Sequence, residues 1–322
     1  MALQEACSQL RANAVRELEL GRNVVGDSGA REMAQALKEN NSLTSLGLRA
    51  NDIGEEGVRY LALALKESSS ITYLDLGGND IGEDGARELA LALQENGVLT
   101  SLDLGEAGIL DGGARVLAQG LKGNSSLTFL NLEGNAMGEG GVREIALALK
   151  ENRSLASLHL CGNNMGENDA RDVALALKEN STLTSLDLWG NAIGDDGVRE
   201  VALALQKNSS LTFLGLARNG IGDEGAREMG AALKENRRLA SLDLRGNGIG
   251  EGGAHALALA LTENSSLTSL ALDGNSMAES GLLGLLGALE QNSGLKALFM
   301  PDNGTAEDGA EAALLADAGE PM

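Results

Sequence analysis

The segment HLC places an imidazole and a thiol two positions apart, at His159 and Cys161. Residues i and i+2 of a β-strand share a face, so both side chains would project to the same side. Such a pair suggests a cysteine nucleophile activated by histidine, or a metal site if a carboxylate lies beside it. Strand geometry separates the roots of the two side chains by roughly 6 to 7 Å, and the chain holds only two Cys and two His. We therefore predict a plain contact between His159 and an acidic neighbour, with no metal, no cofactor and no catalytic role.

The composition of the chain narrows the classes of partner. Its 322 residues carry a formal net charge of −22, and no apolar run approaches the roughly 20 residues that span a bilayer. Phosphates would be repelled, so we predict no nucleic-acid or membrane partner and favour basic protein surfaces. The opening MALQEACSQLRANAV lacks the features of a signal peptide, and two distant cysteines build no disulfide framework. These features predict a cytoplasmic protein.

A repeat of 28 residues runs through the chain. Asn stands at positions 23, 51, 79, 135, 163, 191, 219, 247, 275 and 303, and Ala107 fills the gap in this series. Eleven such units take up nearly the whole chain. We predict one domain over residues 1–322, with an N-terminal cap at 1–14, repeats one to ten at 15–294, and the last repeat with a C-terminal cap at 295–322.

Each unit has two halves with different periods. LTSLDL, residues 183–188, alternates leucine with other residues, as does a strand with one buried face. The ARELALALKEN half consists of strong helix formers. Acidic pairs such as Asp195 and Asp196 precede the helix and complement its dipole, and an asparagine such as Asn236 after the helix suits a left-handed cap. An arginine that recurs every 28 residues, as at Arg87 and Arg199, predicts ion pairs between neighbouring helices.

The pattern LxxLxLxxN followed by a helix in a 28-residue unit resembles the leucine-rich repeat of the ribonuclease-inhibitor-like subtype. The resemblance covers essentially the whole chain. It implies an α/β fold, a leucine-rich repeat solenoid: a right-handed α/β horseshoe of eleven 28-residue repeats, with a parallel sheet on the concave face and helices on the convex face. Strands pack about 4.8 Å apart and helices about 8 to 10 Å apart, so successive units must rotate.

Residues between the leucines of each predicted strand point to solvent on the concave face. Five of the six aromatic residues of the chain fall at such outward positions, where sister repeats carry mostly Ser, Gly or other small residues. Four of them, Tyr73, Phe129, Trp189 and Phe213, lie in units three to eight. Exposed aromatic residues near the middle of a concave face are typical of interface hot spots, so we predict that a partner binds there.

Acidic residues share this face. Asp75 and Asp103 are expected to be cross-strand neighbours, flanked by Arg49, Arg218 and Arg245, and His159 is expected to lie between Asn131 and Asp187. A cationic partner side chain would turn the repulsion among the carboxylates into affinity. The full predicted binding set is Tyr73, Asp75, Asp103, Glu106, Phe129, Asn131, Glu133, His159, Asp187, Trp189, Phe213 and Asp243.

Two places break the repeat. In unit four, Ala107 replaces the asparagine and Leu110 replaces a glycine, so we expect a local irregularity near Glu106. In unit ten, GLLGLLGALE lacks the recurrent arginine and is rich in leucine. This segment predicts a distinctive C-terminal end and is the first candidate region for self-association.

The resemblance implies a non-enzymatic protein-interaction scaffold whose partner has a basic or mixed basic and apolar surface. Similar arrays form ribonuclease inhibitor and the sensor portions of NLR immune receptors. Ribonuclease inhibitor has abundant cysteines, whereas this chain has only two. NLR receptors carry a nucleotide-binding module, for which the repeats of this chain leave no room. Two alternatives stay open: a structural subunit of a larger assembly, and a regulator of a small GTPase resembling the Ran GTPase-activating proteins. The second is less favoured, because the loops never lengthen to carry an arginine and the tail AEDGAEAALLADAGEPM is short.

Overall fold

The computed structural model describes residues 3–303 and 313–315. The chain forms two compact units, Met1–Asn163 and Asn164–Met322, each of which is considered by itself. In both units strands alternate with helices, as the two halves of the 28-residue pattern predict.

The first unit opens with a helix and then alternates strictly. Its described elements are α1 (Leu3–Arg11), β1 (Glu17–Glu19), α2 (Gly26–Leu37), β2 (Ser45–Gly47), α3 (Glu55–Glu67), β3 (Tyr73–Asp75), α4 (Gly82–Glu95), β4 (Ser101–Asp103), α5 (Leu110–Gly123), β5 (Phe129–Asn131), α6 (Glu139–Glu151) and β6 (Ser157–His159). The strands run parallel with a register of one repeat, so that Leu18 pairs with Leu46 and Leu130 with Leu158.

The second unit continues the same alternation. Its described elements are α7 (Glu167–Leu177), β7 (Ser185–Asp187), α8 (Gly194–Leu205), β8 (Phe213–Gly215), α9 (Asp223–Glu235), β9 (Ser241–Asp243), α10 (Glu251–Leu261), β10 (Ser269–Ala271), α11 (Glu279–Leu289), β11 (Ala297–Phe299) and β12 (Ala313–Leu315). Strands β7 to β11 are parallel and in register, whereas β12 pairs with β11 in the antiparallel sense.

The core lies between the strands and the helices. Leu102 in β4, Leu104 just after this strand and Leu117 in α5, for example, are all fully buried. Burial of each such leucine contributes about 2 kcal/mol. The flanking strand residues, Ser101 and Asp103, are half-buried on the opposite side. The alternation of the sequence therefore sorts each strand into one core residue and two outward residues, which confirms the α/β repeat fold.

The recurrent asparagine joins each repeat to its neighbours at the end of the strand. Asn135 is 1% exposed. Its Oδ1 accepts hydrogen bonds from the backbone N–H groups of Ala107 (3.0 Å) and Ile109 (3.1 Å). Its Nδ2 donates to the carbonyl groups of Leu104 (2.8 Å) and Glu133 (3.1 Å). One amide thus satisfies four backbone groups that the turn would otherwise bury without partners.

The residue before this asparagine, or before Ala107 in unit four, is left-handed in all eleven repeats, with φ between 52° and 68°. Glycine fills the position in six repeats and adopts this conformation without strain. The other five are Arg22, Ala50, Glu106, Arg218 and Asp302. A side chain with a Cβ at this φ costs about 1 kcal/mol relative to glycine, so five repeats accept strain at the rim of the strand layer.

A second line of asparagines follows the helices, and their conformation differs from the predicted one. Asn236 after α9 is extended, with φ −72° and ψ 133°, rather than left-handed. Its buried Nδ2 donates to the carbonyls of Leu205 (2.7 Å) and Asn208 (3.1 Å), and its Oδ1 accepts from the N–H of Leu239 (2.8 Å). The asparagine is therefore selected for bonds between repeats, not for a left-handed cap.

The acidic residues at the helix N-termini also act between repeats. Asp195 in α8 accepts hydrogen bonds from Gly222 N (2.7 Å) and Gly225 N (3.0 Å), at the start of α9. Asp223 in α9 likewise accepts hydrogen bonds from Gly250 N and Gly253 N, at 2.8 Å each, at the start of α10. The predicted complement to the helix dipole is therefore a carboxylate that caps the next helix along the chain.

The recurrent arginines pair mainly within their own helices, which corrects the predicted ladder between helices. Arg87 contacts Glu83 at 3.0 Å and also Asp84 in α4, and Arg199 contacts Asp196 of α8 at 2.9 Å. Arg199 also reaches Glu228 of α9, at 3.5 Å. Arginines three or four residues from a carboxylate on one helix find it without crossing to a neighbour.

Lysines near the helix C-termini make most of the ion pairs between helices. Lys66 pairs with Glu95 at 3.0 Å, and Lys234 with Glu263 at 2.7 Å. These pairs are largely exposed, so each contributes at most about 1 kcal/mol.

The irregularity expected near Glu106 does not occur in the backbone. Glu106 has φ 56°, as its counterparts do, and the carbonyl of Ala107 accepts hydrogen bonds from Ile81 N (3.0 Å) and Gly82 N (3.4 Å). The carbonyl of Leu76 receives the Nδ2 of Asn79 at 2.8 Å. Neighbouring groups have thus taken over bonds of the missing asparagine.

Helix α11 carries leucines at positions where earlier helices have smaller or charged residues, such as Ala254 and Ala258 in α10 and Arg227 in α9. Leu283 is 60% exposed, and Leu282 and Leu286 are half-buried. Self-association through this helix stays a prediction, and most of the C-terminal cap predicted within 295–322 lies outside the described residues. None of the described helices is long and apolar enough to cross a membrane.

Candidate functional site

The strand face of each unit, meaning the side of its strands turned away from the helices, carries the predicted site residues. In the first unit the cross-strand register places Tyr73 beside Ser101, and Ser101 beside Phe129. Both aromatic rings are half-buried. A serine separates them, so two apolar patches stand about two strand spacings apart, roughly 10 Å.

The structure gives His159 and Cys161 different surroundings. His159 lies at the end of β6, beside Asn131 in register, and its ring meets that of Phe129 edge-on with the centroids 5.0 Å apart. Cys161 follows the strand, turns inward and is only 4% exposed. The contact observed for His159 is therefore aromatic, where a carboxylate was predicted. Among the described residues, no group of three or more His, Cys, Asp or Glu is placed to hold a metal ion.

Asp75, Asp103 and Asn131, the last residues of β3, β4 and β5, have a structural role that sequence reasoning missed. Asp75 Oδ1 accepts a hydrogen bond from Gly77 N at 2.8 Å, and Asp103 Oδ1 accepts one from Gly105 N at 2.8 Å. Asn131 does the same for Glu133 N, at 2.9 Å. Each side chain thus closes the turn that leaves its own strand, as Asp and Asn commonly do. Their recurrence two residues before a turn was the available signal.

Arg49 enters this acidic group instead of flanking it. Its guanidinium lies 3.3 Å from Glu106 and 3.9 Å from Asp103. The side chain crosses the intervening repeat above Gly77, where an added Cβ would clash with the Arg49 Nη1. Asp103 also accepts a bond from the Nδ2 of Asn131, at 3.1 Å. Arg49 therefore contacts both Asp103 and Glu106, while Asn131 bonds to Asp103 and Asp75 lies close enough to feel the charge of Arg49.

Burial and charge perturb two groups at this place. Burial raises the pKa of the Asp75 carboxyl, with further elevation from the negative charges of Asp103 and Glu19, while the Gly77 N–H and Arg49 oppose the shift. Burial also raises the pKa of the Tyr73 hydroxyl, and the negative charge of Asp75 raises it further by a smaller amount. The strand face of the first unit thus holds an ionised Asp75 at an energetic cost at neutral pH.

Asp75→Asn is expected to stabilise the protein at pH 7. The pKa of Asp75 is higher in the folded than in the unfolded chain, so its contribution favours folding below the unfolded pKa and is lost as the pH rises through the folded pKa. Asparagine keeps an oxygen that can accept from Gly77 N. Urea unfolding should show the variant more stable at pH 7 and equal to the wild type near pH 3. A variant less stable than the wild type at pH 7 would contradict this account.

In the second unit, Trp189 and Phe213 occupy neighbouring repeats. Trp189 is 38% exposed and Phe213 is half-buried. Asp187 accepts a hydrogen bond from Trp189 N at 3.1 Å and leans over Gly215, where an added Cβ would meet its Oδ1. The absence of a side chain at Gly215 therefore leaves room for the carboxylate beside the aromatic pair.

Two arginines complete the group in the second unit. The guanidinium carbon of Arg218 lies 5.6 Å from the centre of the Trp189 ring. Arg245 is held by Asp243 through Nε (2.9 and 3.0 Å) and Nη2 (2.6 Å). The hydrogen bonds with Asp243 raise the pKa of the Arg245 guanidinium, whereas burial lowers it. The hydrogen bonds have the larger effect, so the pKa is raised above its usual value. A depression of about 300 Å³ lies beside these side chains and is lined by Trp189, Arg218, Arg245 and Asp302, among others.

The structure thus assigns the predicted residues to two groups. The first unit holds Tyr73, Asp75, Asp103, Glu106, Phe129, Asn131, Glu133 and His159, and the second holds Asp187, Trp189, Phe213 and Asp243. Asn131 is buried, whereas the other members are half-buried or exposed.

A family profile described as the Leucine Rich repeat matches this sequence over residues 13–34, 39–62, 67–90, 123–146, 179–202, 207–230 and 235–258. These segments make up just over half of the chain. They coincide with strand, turn and helix in the repeats described above.

Solved structures show the same fold. The leucine-rich repeat-containing protein LegL7 from Legionella pneumophila is 22% identical, with 87% of this chain and 91% of that chain covered and a TM-score of 0.54. A chain of the Rad7 and Elc1 complex in yeast is 16% identical, with 85% and 75% covered and a TM-score of 0.50. No curated protein matches the sequence. At these identities the similarity extends to the fold alone.

Proposed function

Because the chain belongs to the leucine-rich repeat family, we propose that it is a non-enzymatic protein-interaction scaffold whose partner binds on the strand face. The observation that carries this proposal is the position of the aromatic residues. Tyr73, Phe129, Trp189 and Phe213 all stand on the strand face at positions where most other repeats have small residues. A fold that needs only Ser or Gly there gains nothing from a large apolar side chain, whereas a binding surface does.

Charge supports the same face. In the first unit the carboxylates of Asp75, Asp103 and Glu106 surround the guanidinium of Arg49. Three acidic groups around one cation leave a net negative surface, which attracts a basic partner and speeds its association. The partner that fits this unit therefore combines lysine or arginine with apolar residues.

The test is a quantitative pull-down from native cytosol with two matched variants. The strand-face variant carries Trp189→Ala and Phe213→Ser, residues that sister repeats have at Ala217 and Ser185. The helix-face variant carries Leu91→Gln and Leu203→Gln, which removes exposed apolar side chains from α4 and α8. We expect the strand-face variant to lose a partner at least tenfold, since central aromatic residues dominate interfaces, while the helix-face variant retains it.

Both variants should unfold within about 0.5 kcal/mol of the wild type, because none of the four side chains is fully buried. A partner that the strand-face variant retains and the helix-face variant loses would overturn the proposal and move the binding site to the helices.

A further inference from the structure

The Trp189–Arg218 pair has unused binding capacity. The guanidinium carbon of Arg218 lies over the Trp189 ring, 5.6 Å from its centre. A guanidinium in such a position can still donate its N–H groups to a ligand. Within residues 3–303 and 313–315, these side-chain N–H groups meet no acceptor, and Arg218 makes no ion pair. Arg245 differs, because Asp243 already occupies its guanidinium.

The backbone at Arg218 holds this side chain at a conformational cost. Arg218 has φ 52°, where Gly190, Gly246 and Gly274 fill the equivalent position in other repeats of the same unit. Gly246 also leaves the space that the side chain crosses, since a Cβ there would lie 2.9 Å from Arg218 Cγ. The same strain occurs at Arg22, so what distinguishes Arg218 is the Trp189 ring beneath its guanidinium.

We propose that the Trp189–Arg218 pair binds a carboxylate that the protein partner presents beside an apolar group. This proposal rests on the proposed function and deepens it. A guanidinium offers two parallel N–H donors that match the two oxygens of a carboxylate, and the contact with the Trp189 ring restricts where these donors lie before binding. The indole then covers the apolar neighbour of the carboxylate.

The surrounding charges select among anions. Asp187, Asp243 and Asp273 act on the charge of Arg245 and lie in the same region. Their repulsion is larger for a doubly charged phosphate than for a singly charged carboxylate, so the latter is the favoured ligand. The carboxylate has two sources, an acidic side chain or the C-terminus of a chain.

The experiment uses Trp189, the only tryptophan of the chain, as its reporter. The full-length protein is titrated with four short peptides while tryptophan fluorescence is recorded. Ac-Ala-Glu-Leu-NH₂ supplies a side-chain carboxylate and Ac-Ala-Gln-Leu-OH a terminal one. Ac-Ala-Gln-Leu-NH₂ is neutral, and Ac-Ala-Lys-Leu-NH₂ is basic. We expect a saturable change with at least one carboxylate peptide below about 10 mM, the range of a single weak contact, and none with the other two.

Matched variants decide whether Arg218 is responsible. Arg218→Gly removes the guanidinium and places at this position the residue of most sister repeats, so the fold is kept; the apparent Kd for the carboxylate peptide should rise at least tenfold. Arg22→Gly is the control, because Arg22 has the same left-handed backbone, with φ 60°, and stands at the same position of its own repeat in the other unit. This control should bind as the wild type does.

Three results would overturn the carboxylate site: no response to either carboxylate peptide, an equal response to the basic or neutral peptide, or unchanged binding by Arg218→Gly. Loss of the partner in the strand-face variant together with any of these results would leave the proposed function intact and remove the carboxylate site alone. If the carboxylate peptides bound saturably but no partner depended on the strand face, the carboxylate site would stand and the proposed function would be wrong.

Discussion

Asn135→Ala is expected to lower the free energy of unfolding by about 3 to 5 kcal/mol, although it removes no apolar contact. The amide of Asn135 serves four buried backbone groups, and each group left without a partner costs about 1 to 3 kcal/mol. The preceding repeat already carries Ala107 at the equivalent position, so two consecutive repeats would then lack the asparagine.

Two measurements check this expectation. Urea unfolding gives the total loss, and hydrogen exchange reports the loss locally, since the amides of Ala107 and Ile109 should lose protection first. The exposed Asn41→Ala serves as the control and should change stability by less than about 0.5 kcal/mol. If Asn135→Ala lost less than about 1 kcal/mol, water or neighbouring carbonyl groups would have to replace the amide.

Gly120→Ala is expected to destabilise the protein by about 1 to 3 kcal/mol, opposite to the usual effect of this change in a helix. At an exposed helical site, alanine in place of glycine gains about 1 kcal/mol. At Gly120 in α5, however, the added Cβ would lie 2.8 Å from the Ala90 carbonyl oxygen and 2.9 Å from the Ala90 Cα in α4. Backbone atoms cannot move aside as a flexible side chain does, so the two helices would have to separate.

The same helix provides the control. Gly123→Ala adds a methyl group whose nearest contact, at 3.7 Å, is the flexible side chain of Gln94, and it should stabilise by about 0.5 to 1 kcal/mol. Thermal and urea unfolding of the two variants should therefore show shifts of opposite sign. Two shifts of the same sign would mean that the approach of α4 and α5 does not limit this position.

The Gly120 pair also shows how far sequence reasoning reaches. The repeat pattern has alanine at the positions equivalent to 120, as at Ala92 and Ala148, so the sequence alone would predict that Gly120→Ala improves the helix. The period, the halves of each unit and the buried leucines follow from spacing and propensity, which are local. The distance between two particular helices depends on the side chains of both, and no single repeat encodes it.

The binding face divides in the same way. Alternation along each strand correctly predicted that Tyr73, Phe129, Trp189 and Phe213 face away from the core. It failed at Cys161, which is buried although Trp189 at the equivalent position of its own repeat is exposed; both residues lie two positions beyond the end of their strand, where alternation no longer decides burial.

Contacts that cross repeats were beyond the reach of the pattern. Arg49 passes above Gly77 to meet Glu106, and the guanidinium of Arg218 lies over the Trp189 ring. Both contacts need a long side chain in one repeat and a glycine in the next repeat that leaves room for it. Comparing the residues at one position of the repeat does not reveal this combination.

The bonds of the asparagines have a consequence for inheritance. The side-chain amides of Asn135 and Asn236 bond to their own turn and to the preceding repeat of the same unit. A duplication or deletion of 28 residues within a unit therefore leaves every remaining repeat with a neighbour of the required kind. Such an event would change the length of the strand face by one strand spacing, about 4.8 Å, while point substitutions at outward positions change its chemistry. The reach of the surface and its specificity can consequently evolve by separate kinds of mutation.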